Sequence, residues 1–187
     1  FLMNNLLFLG IAFVTLWGTV YPLLSKLGSG EEITVARPFY DQVNGPLMLL
    51  LILLMGIGPL IPWRQANLAS IKSALLVPTL VGVIVIIFLT ICGIQRALPL
   101  IGFGLCSTVF TGILTEWVRG TKARHHSSQE IYPVAFVKLI LANRPRYGGY
   151  IVHLAVIMVA FGVIGSSFFG LQRDVVLAPG ETYDIAD

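Results

Sequence analysis

Five runs of mostly apolar residues dominate the chain, at about 5–24, 45–62, 74–94, 97–118 and 149–169. Each is close to the roughly 20 apolar residues that a helix needs to cross a hydrocarbon layer. Pro22, Pro46, Pro59, Pro62, Pro78 and Pro99 sit mainly near the ends of these runs, where a missing backbone donor costs least. Trp17, Tyr21, Trp63, Trp117, Tyr147 and Tyr150 lie at or near the same ends, as interfacial anchors do. After the fifth run the pattern changes. Arg173-Asp174-Val175-Val176-Leu177 is strand-like, Ala178-Pro179-Gly180-Glu181 is a turn signal, and Thr182-Tyr183-Asp184-Ile185 is a second strand signal. The expected fold is an all-α integral membrane protein with about five transmembrane helices over residues 1–169. Residues 170–187 are expected to begin an external β-rich domain.

Composition agrees. Of 187 residues, 56% are hydrophobic and 11% charged, and the mean hydropathy is +0.87. Soluble domains carry about 25% charged residues, so a soluble fold is excluded. No basic region precedes the first run and the sequence begins at Phe1, so no signal peptide is expected and the chain reads as a piece of something longer, or a processed product. The net charge of +3 belongs to loops. No arginine- or lysine-rich run with interleaved aromatics exists, so nucleic acid is not an expected partner. Cys92 and Cys106 lie singly in different runs without CxxC spacing and are expected as buried thiols.

Five spans put residues 63–74 and 118–147 on one side, and 25–44, 95–96 and 170–187 on the other. The first side carries eight basic residues, Arg64, Lys72, Arg119, Lys122, Arg124, Lys138, Arg144 and Arg146, against four on the second, Lys26, Arg37, Arg96 and Arg173. The positive-inside rule makes the richer side cytoplasmic, with the N-terminus inside and the C-terminus outside. The loop at 119–147 is then cytoplasmic, and its 134–141 stretch reads as a short interfacial helix. The loop at 25–44 is external, with a Gly28-Ser29-Gly30 turn.

One residue carries most of the candidate chemistry. His153 is the only histidine within any of the five runs, roughly 6 Å inside the fifth at 1.5 Å per residue. An ionisable group in hydrocarbon is expensive and is expected to have a partner or a role. Gly149, Val156, Ile157, Ala160 and Ile164 share its helix face, and the small Gly149 and Ala160 leave room for a flat ligand or a close helix. Gly162, Gly165 and Ser166 form another candidate close-packing stripe. The residues alone leave two readings of His153 open: a side chain hydrogen-bonded to a neighbouring carbonyl or hydroxyl, or a metal ligand such as a haem ligand. Glu116 is expected to pair with Arg119 or a loop arginine, and Arg96 to reach outward from a short external turn. His125 and His126 are expected as ordinary solvated side chains. No nucleophile triad, phosphate loop, paired catalytic carboxylates or zinc spacing occurs.

The motifs have a recognisable order. They are Met3-Asn4-Asn5-Leu6-Leu7, Leu16-Trp17-Gly18-Thr19-Val20-Tyr21-Pro22-Leu23-Leu24, Arg37-Pro38-Phe39-Tyr40-Asp41 and Met55-Gly56-Ile57-Gly58-Pro59-Leu60. Then come Glu116-Trp117-Val118-Arg119-Gly120, Tyr147-Gly148-Gly149-Tyr150-Ile151-Val152-His153-Leu154 and Arg173-Asp174-Val175. In this order the chain resembles the C-terminal part of the CcmF (NrfE-like) family, the membrane haem lyases of cytochrome c biogenesis. It departs at Ala36, where the family usually has Gly, and at Asp41, where it often has Asn.

The resemblance implies a role in attaching haem to apocytochrome c on the outer face of the bacterial inner membrane, or of an organellar inner membrane. A haem chaperone would supply the haem. It implies a transmembrane b-type haem, structural or redox, with His153 as one axial ligand to the iron; the further expectation is that this haem delivers an electron that keeps incoming haem ferrous. The second axial histidine, the tryptophan-rich segment and the external haem histidines lie upstream in the family, so an upstream part or separate subunit is an implied partner, beside membrane lipid. The chain would then be part of an enzyme with no catalytic residue of its own. A structural membrane subunit with His153 as a packed core residue stays open, as does a transporter fragment.

Overall fold

The computed structural model describes residues 2–60 and 68–170, and among these residues regular structure is entirely helical. Six helices follow in order: α1 (Leu2–Ser29), α2 (Arg37–Leu60), α3 (Leu68–Ile91), α4 (Ala97–Ser128), α5 (Tyr132–Ala142) and α6 (Arg144–Phe169). Five of them, all but α5, are long and apolar enough to cross a membrane. The chain is an all-α membrane protein. The strand signals beyond residue 170, with Arg173, Pro62, Trp63 and Arg64, lie outside the described residues.

The helices are longer than the apolar runs that mark them. Lipid requires every backbone group to be bonded within the segment, but it does not require the helix to stop where the lipid stops. α1 continues to Ser29 and α2 begins at Arg37, so the loop expected at 25–44 shrinks to a short linker. That linker is tied down by Ser25 Oγ, which accepts Ile33 N–H at 3.0 Å, and by Lys26 against Glu32 at 3.2 Å. α4 has 32 residues, about 48 Å of helix against a hydrocarbon layer of about 30 Å. Its last turns therefore stand out of the apolar zone as a basic stem, and the segment expected as a loop over 119–147 is largely helical. The short helix expected at 134–141 is α5, with Pro133 in its first turn where no donor is lost.

α4 is the hub. It packs against α2, α3, α5 and α6, while α1 lies against α2. Its buried face runs through Gly102, Phe103, Gly104, Cys106, Val109, Gly112 and Ile113. Lipid tails are as apolar as leucine, so close van der Waals packing replaces the hydrophobic effect as the glue, and small residues let backbones approach. Gly56 meets Val109 and Gly82 meets Thr108 in this way. The stripe expected at Gly162, Gly165 and Ser166 behaves otherwise: a Cβ added to Gly162 or Gly165 would meet nothing within 4 Å. Cys106 is buried as expected, but Cys92 is exposed just past the end of α3. Pro78 also differs. The helix starts at Leu68, so this proline sits inside α3 and is fully buried.

The corner between α4 and α5 is fastened by one carboxylate. Glu130 accepts Lys138 Nζ at 2.6 Å and Arg124 Nε at 3.0 Å, while its carbonyl accepts His125 Nδ1–H at 2.5 Å. The His125 ring also stacks on Tyr132 at 4.1 Å, so this side chain is fixed rather than merely solvated. The Lys138 hydrogen bond, followed by that of Arg124, holds the Glu130 carboxyl below its usual range. A depressed carboxylate contributes stability above its unfolded pKa and loses it as pH falls through the folded value. Protection factors over residues 125–135, exchange rates divided out by the intrinsic rate at each pH, should therefore be high at pH 7 and fall below the ordinary carboxylate range. Protection that is flat across that window would mean the cations do not fasten the corner.

Candidate functional site

α6 turns one stripe toward the bundle: Tyr147, Tyr150 and Ile157 are buried in the core cluster with Cys106, Val109 and Ile113. The first two rings meet edge to face at 5.6 Å. His153 is displaced around the helix from this stripe and is half-buried. Its Nδ1 lies 2.6 Å from the carbonyl oxygen of Gly149, one turn earlier. A carbonyl can only accept, so Nδ1 carries the proton; in neutral imidazole this leaves the Nε2 lone pair unprotonated. The two sequence readings of His153 are thus compatible, because each uses a different ring nitrogen. A backbone acceptor on the far nitrogen is also how metal-bound imidazoles are commonly oriented.

The space around His153 is distributed differently from what the sequence suggests. Ala160 and Ile164 pack against the core cluster, so the room expected at Ala160 is occupied by the bundle. A Cβ at Gly148 or Gly149 would meet nothing within 4 Å, so the open side lies toward the start of the helix. Ile151, Val152, Met158 and Val159 face outward and exposed.

Below His153 lies a polar clamp between α4 and α6. Glu116, with only 12% of its side chain exposed, accepts Arg146 at 2.8 Å and Arg119 at 3.2 Å. Arg146 also donates through Nε to the Tyr150 hydroxyl at 3.1 Å. Both pairings expected for Glu116 occur together. The Arg146–Tyr150 link is an addition to those pairings, and its only sequence signal is a spacing of four residues that places both on one helix face. Beside it, a Cβ at Gly120 would come within 2.6 Å of the Tyr147 hydroxyl. Only glycine lets this ring seat against α4. The clamp fixes the first two turns of α6 and, through them, Gly149 and His153. His125 and His126 take no part in the site; they belong to the Glu130 corner.

Over 185 residues the chain is 30% identical to the cytochrome c-type biogenesis protein CcmF of Haemophilus influenzae, covering 98% of this chain and 28% of that protein. Against CcmF of Pseudomonas fluorescens it is 30% identical, covering 98% of this chain and 26% of the other. Against the cytochrome c-type biogenesis protein CycK of Rhizobium meliloti the identity is 28%, with coverage of 97% and 26%. The chain matches a segment of the CcmF/CycK family. It spans about a quarter of the length of these curated relatives. No family model matches the chain, and no solved structure matches it.

Among the described residues, this CcmF/CycK segment has no group of three or more His, Cys, Asp or Glu side chains that could hold a metal ion. A tetrahedral zinc site needs such a group. A haem does not: the porphyrin supplies the equatorial donors, and the protein adds axial ligands alone. A single imidazole with a free Nε2 and open space beside it fits that requirement.

The clamp yields a stability prediction. Glu116→Gln leaves Arg146 without its carboxylate, and both arginines are half-exposed, which limits the loss. A cost on the order of 1–2 kcal/mol is expected, read as a lower unfolding temperature in detergent. An unchanged midpoint would show that α4 and α6 are held by apolar packing alone.

Proposed function

We propose that this chain is the part of a cytochrome c haem lyase that holds one side of a transmembrane b-type haem. In this reading, His153 is an axial ligand through Nε2, and the segment supports covalent attachment of haem to apocytochrome c on the outer face of the bacterial inner membrane. The observation that carries it is the Nδ1–H bond to Gly149, which leaves the other nitrogen of this intramembrane histidine free for iron. The family match adds the context, since its named members are cytochrome c-type biogenesis proteins.

The residues divide the work. His153 donates to the metal through the Nε2 lone pair, the ring nitrogen not used by the bond to Gly149. Gly149 orients the ring by accepting from Nδ1 and leaves space beside it. Glu116, Arg146 and Tyr150 set the height and rotation of the helix that carries the ligand. A haem held by His153 and a second imidazole would supply one-electron transfer. The second imidazole comes from the remainder of the protein or a separate subunit, and the exposed apolar face of α6 at Val152, Val159 and Met158 is where such helices would pack. Haem chaperone and apocytochrome c engage the outer side, with the N-terminus and the basic ends of α4 and α6 in the cytoplasm. The deciding measurement is the reduced-minus-oxidised absorbance spectrum of wild type beside His153→Ala.

A further inference from the structure

On the flank of α4 lies an open groove of about 420 Å³, lined by Thr111, Leu114, Thr115, Val118, Arg119 and Lys122. These residues recur at helical spacing along one face, and the groove changes character along its length. Leu114 and Val118 make its apolar part. The Thr115 hydroxyl is satisfied by the Thr111 carbonyl at 2.7 Å, so it offers the groove little polarity. Arg119 and Lys122 close the other end.

From Thr111 to Lys122 the helix rises about 16 Å, close to half of a hydrocarbon layer of about 30 Å. The whole groove, cations included, therefore has about the length of one leaflet; its apolar part, Leu114 to Val118, is about 6 Å of that, and the cations stand where the headgroups begin. Charge is in surplus there. Arg119 and Arg146 share the single carboxylate of Glu116, while Lys122 has no carboxylate partner among the described residues.

We infer that this groove is a binding site for an anionic phospholipid, with an acyl chain along Leu114 and Val118 and the phosphate between Arg119 and Lys122. The match is chiefly one of charge: one apolar turn of α4 at Leu114 and Val118, ending in Lys122, which has no carboxylate partner among the described residues, and in Arg119, which shares the carboxylate of Glu116 with Arg146. A zwitterionic lipid would bring its own cation to the same place and lose the advantage. Nothing in this inference depends on His153 or on haem.

The test is native mass spectrometry of the detergent-purified full chain, titrated with phosphatidylglycerol or with phosphatidylcholine. Wild type should retain the first in preference to the second. Lys122→Gln and Arg119→Gln should each weaken phosphatidylglycerol binding about fivefold, the value of one surface charge near a lipid headgroup. Lys122→Arg should keep it, and Leu114→Trp, which fills the apolar half without touching charge, should weaken it as well. Arg144→Gln, an exposed basic residue outside the groove, should leave it unchanged. Equal loss in Arg144→Gln would overturn the site in favour of diffuse surface charge. Equal retention of phosphatidylcholine would overturn the charge argument. Displacement by inorganic phosphate, together with indifference to Leu114→Trp, would replace the lipid by a free anion.

Discussion

His153→Ala is expected to abolish the b-type α band in the reduced-minus-oxidised spectrum of the detergent-purified protein together with the chains that copurify with it. The size of the effect follows from the donor count. Losing a residue that merely orients a metal ligand typically costs 10–100-fold in affinity, on the order of the loss for a Gly149 perturbation. Losing the ligand itself removes the iron–nitrogen bond, and alanine offers nothing in its place. Around His153 the near neighbours Gly148, Gly149, Val152 and Val156 carry no donor side chain, and the hydroxyl of Tyr150 is engaged by Arg146 at 3.1 Å. Mass identification of the copurifying chains would name the source of the second ligand. A band that survives in His153→Ala at wild-type intensity would remove His153 from the iron. A wild-type sample free of haem with every partner chain present would leave His153 as a side chain satisfied by Gly149.

What the sequence discloses and what it withholds follow from where the information resides. Lipid-crossing helices are legible because hydrocarbon tolerates little else, and five apolar runs led to five long helices. Their ends are not legible. Polarity records where lipid stops, whereas α4 runs on through Lys122, Ala123 and Arg124, all adequate helix formers, with its stem supported by α5 through Leu139 against Gly120. His153 stands out as an ionisable residue in an apolar run, yet its tautomer depends on a carbonyl that only the folded helix places. The Glu116–Arg146 pair joins residues 30 apart, and no local rule selects Arg146 over Arg144 or Lys138 as the partner. Glycines show the same limit most plainly. Gly162 and Gly165 looked like a packing stripe and Gly82 did not, because a glycine's role is set by what the opposite helix brings to it.

That last point fixes the second large prediction. A Cβ on Gly82 would collide with the Thr108 side chain and lie 2.8 Å from the carbonyl oxygen of Gly104. Thr108 can rotate only by giving up its own bond to Gly104 O at 2.8 Å, and the backbone carbonyl cannot move without shifting α4. Gly82→Val should therefore force α3 away from the hub, at about 3 kcal/mol or more, the upper end of overpacking costs. For a chain of 187 residues this is on the order of 10 °C in Tm. Gly104→Ala faces mainly the Ile86 side chain, at 2.5 and 2.6 Å, which can yield by a rotamer change, so a cost of about 1 kcal/mol is expected. Gly162→Ala enters open space and gains helix propensity, so its Tm should hold or rise. Thermal unfolding of the three variants in one detergent reads the order directly. If Gly162→Ala proves the most damaging of the three, the open face of α6 is covered by another segment or a partner in the protein as purified. If Gly82→Val is silent, α3 does not pack Gly82 against Thr108 and Gly104 of α4, and the hub loses its tightest seam.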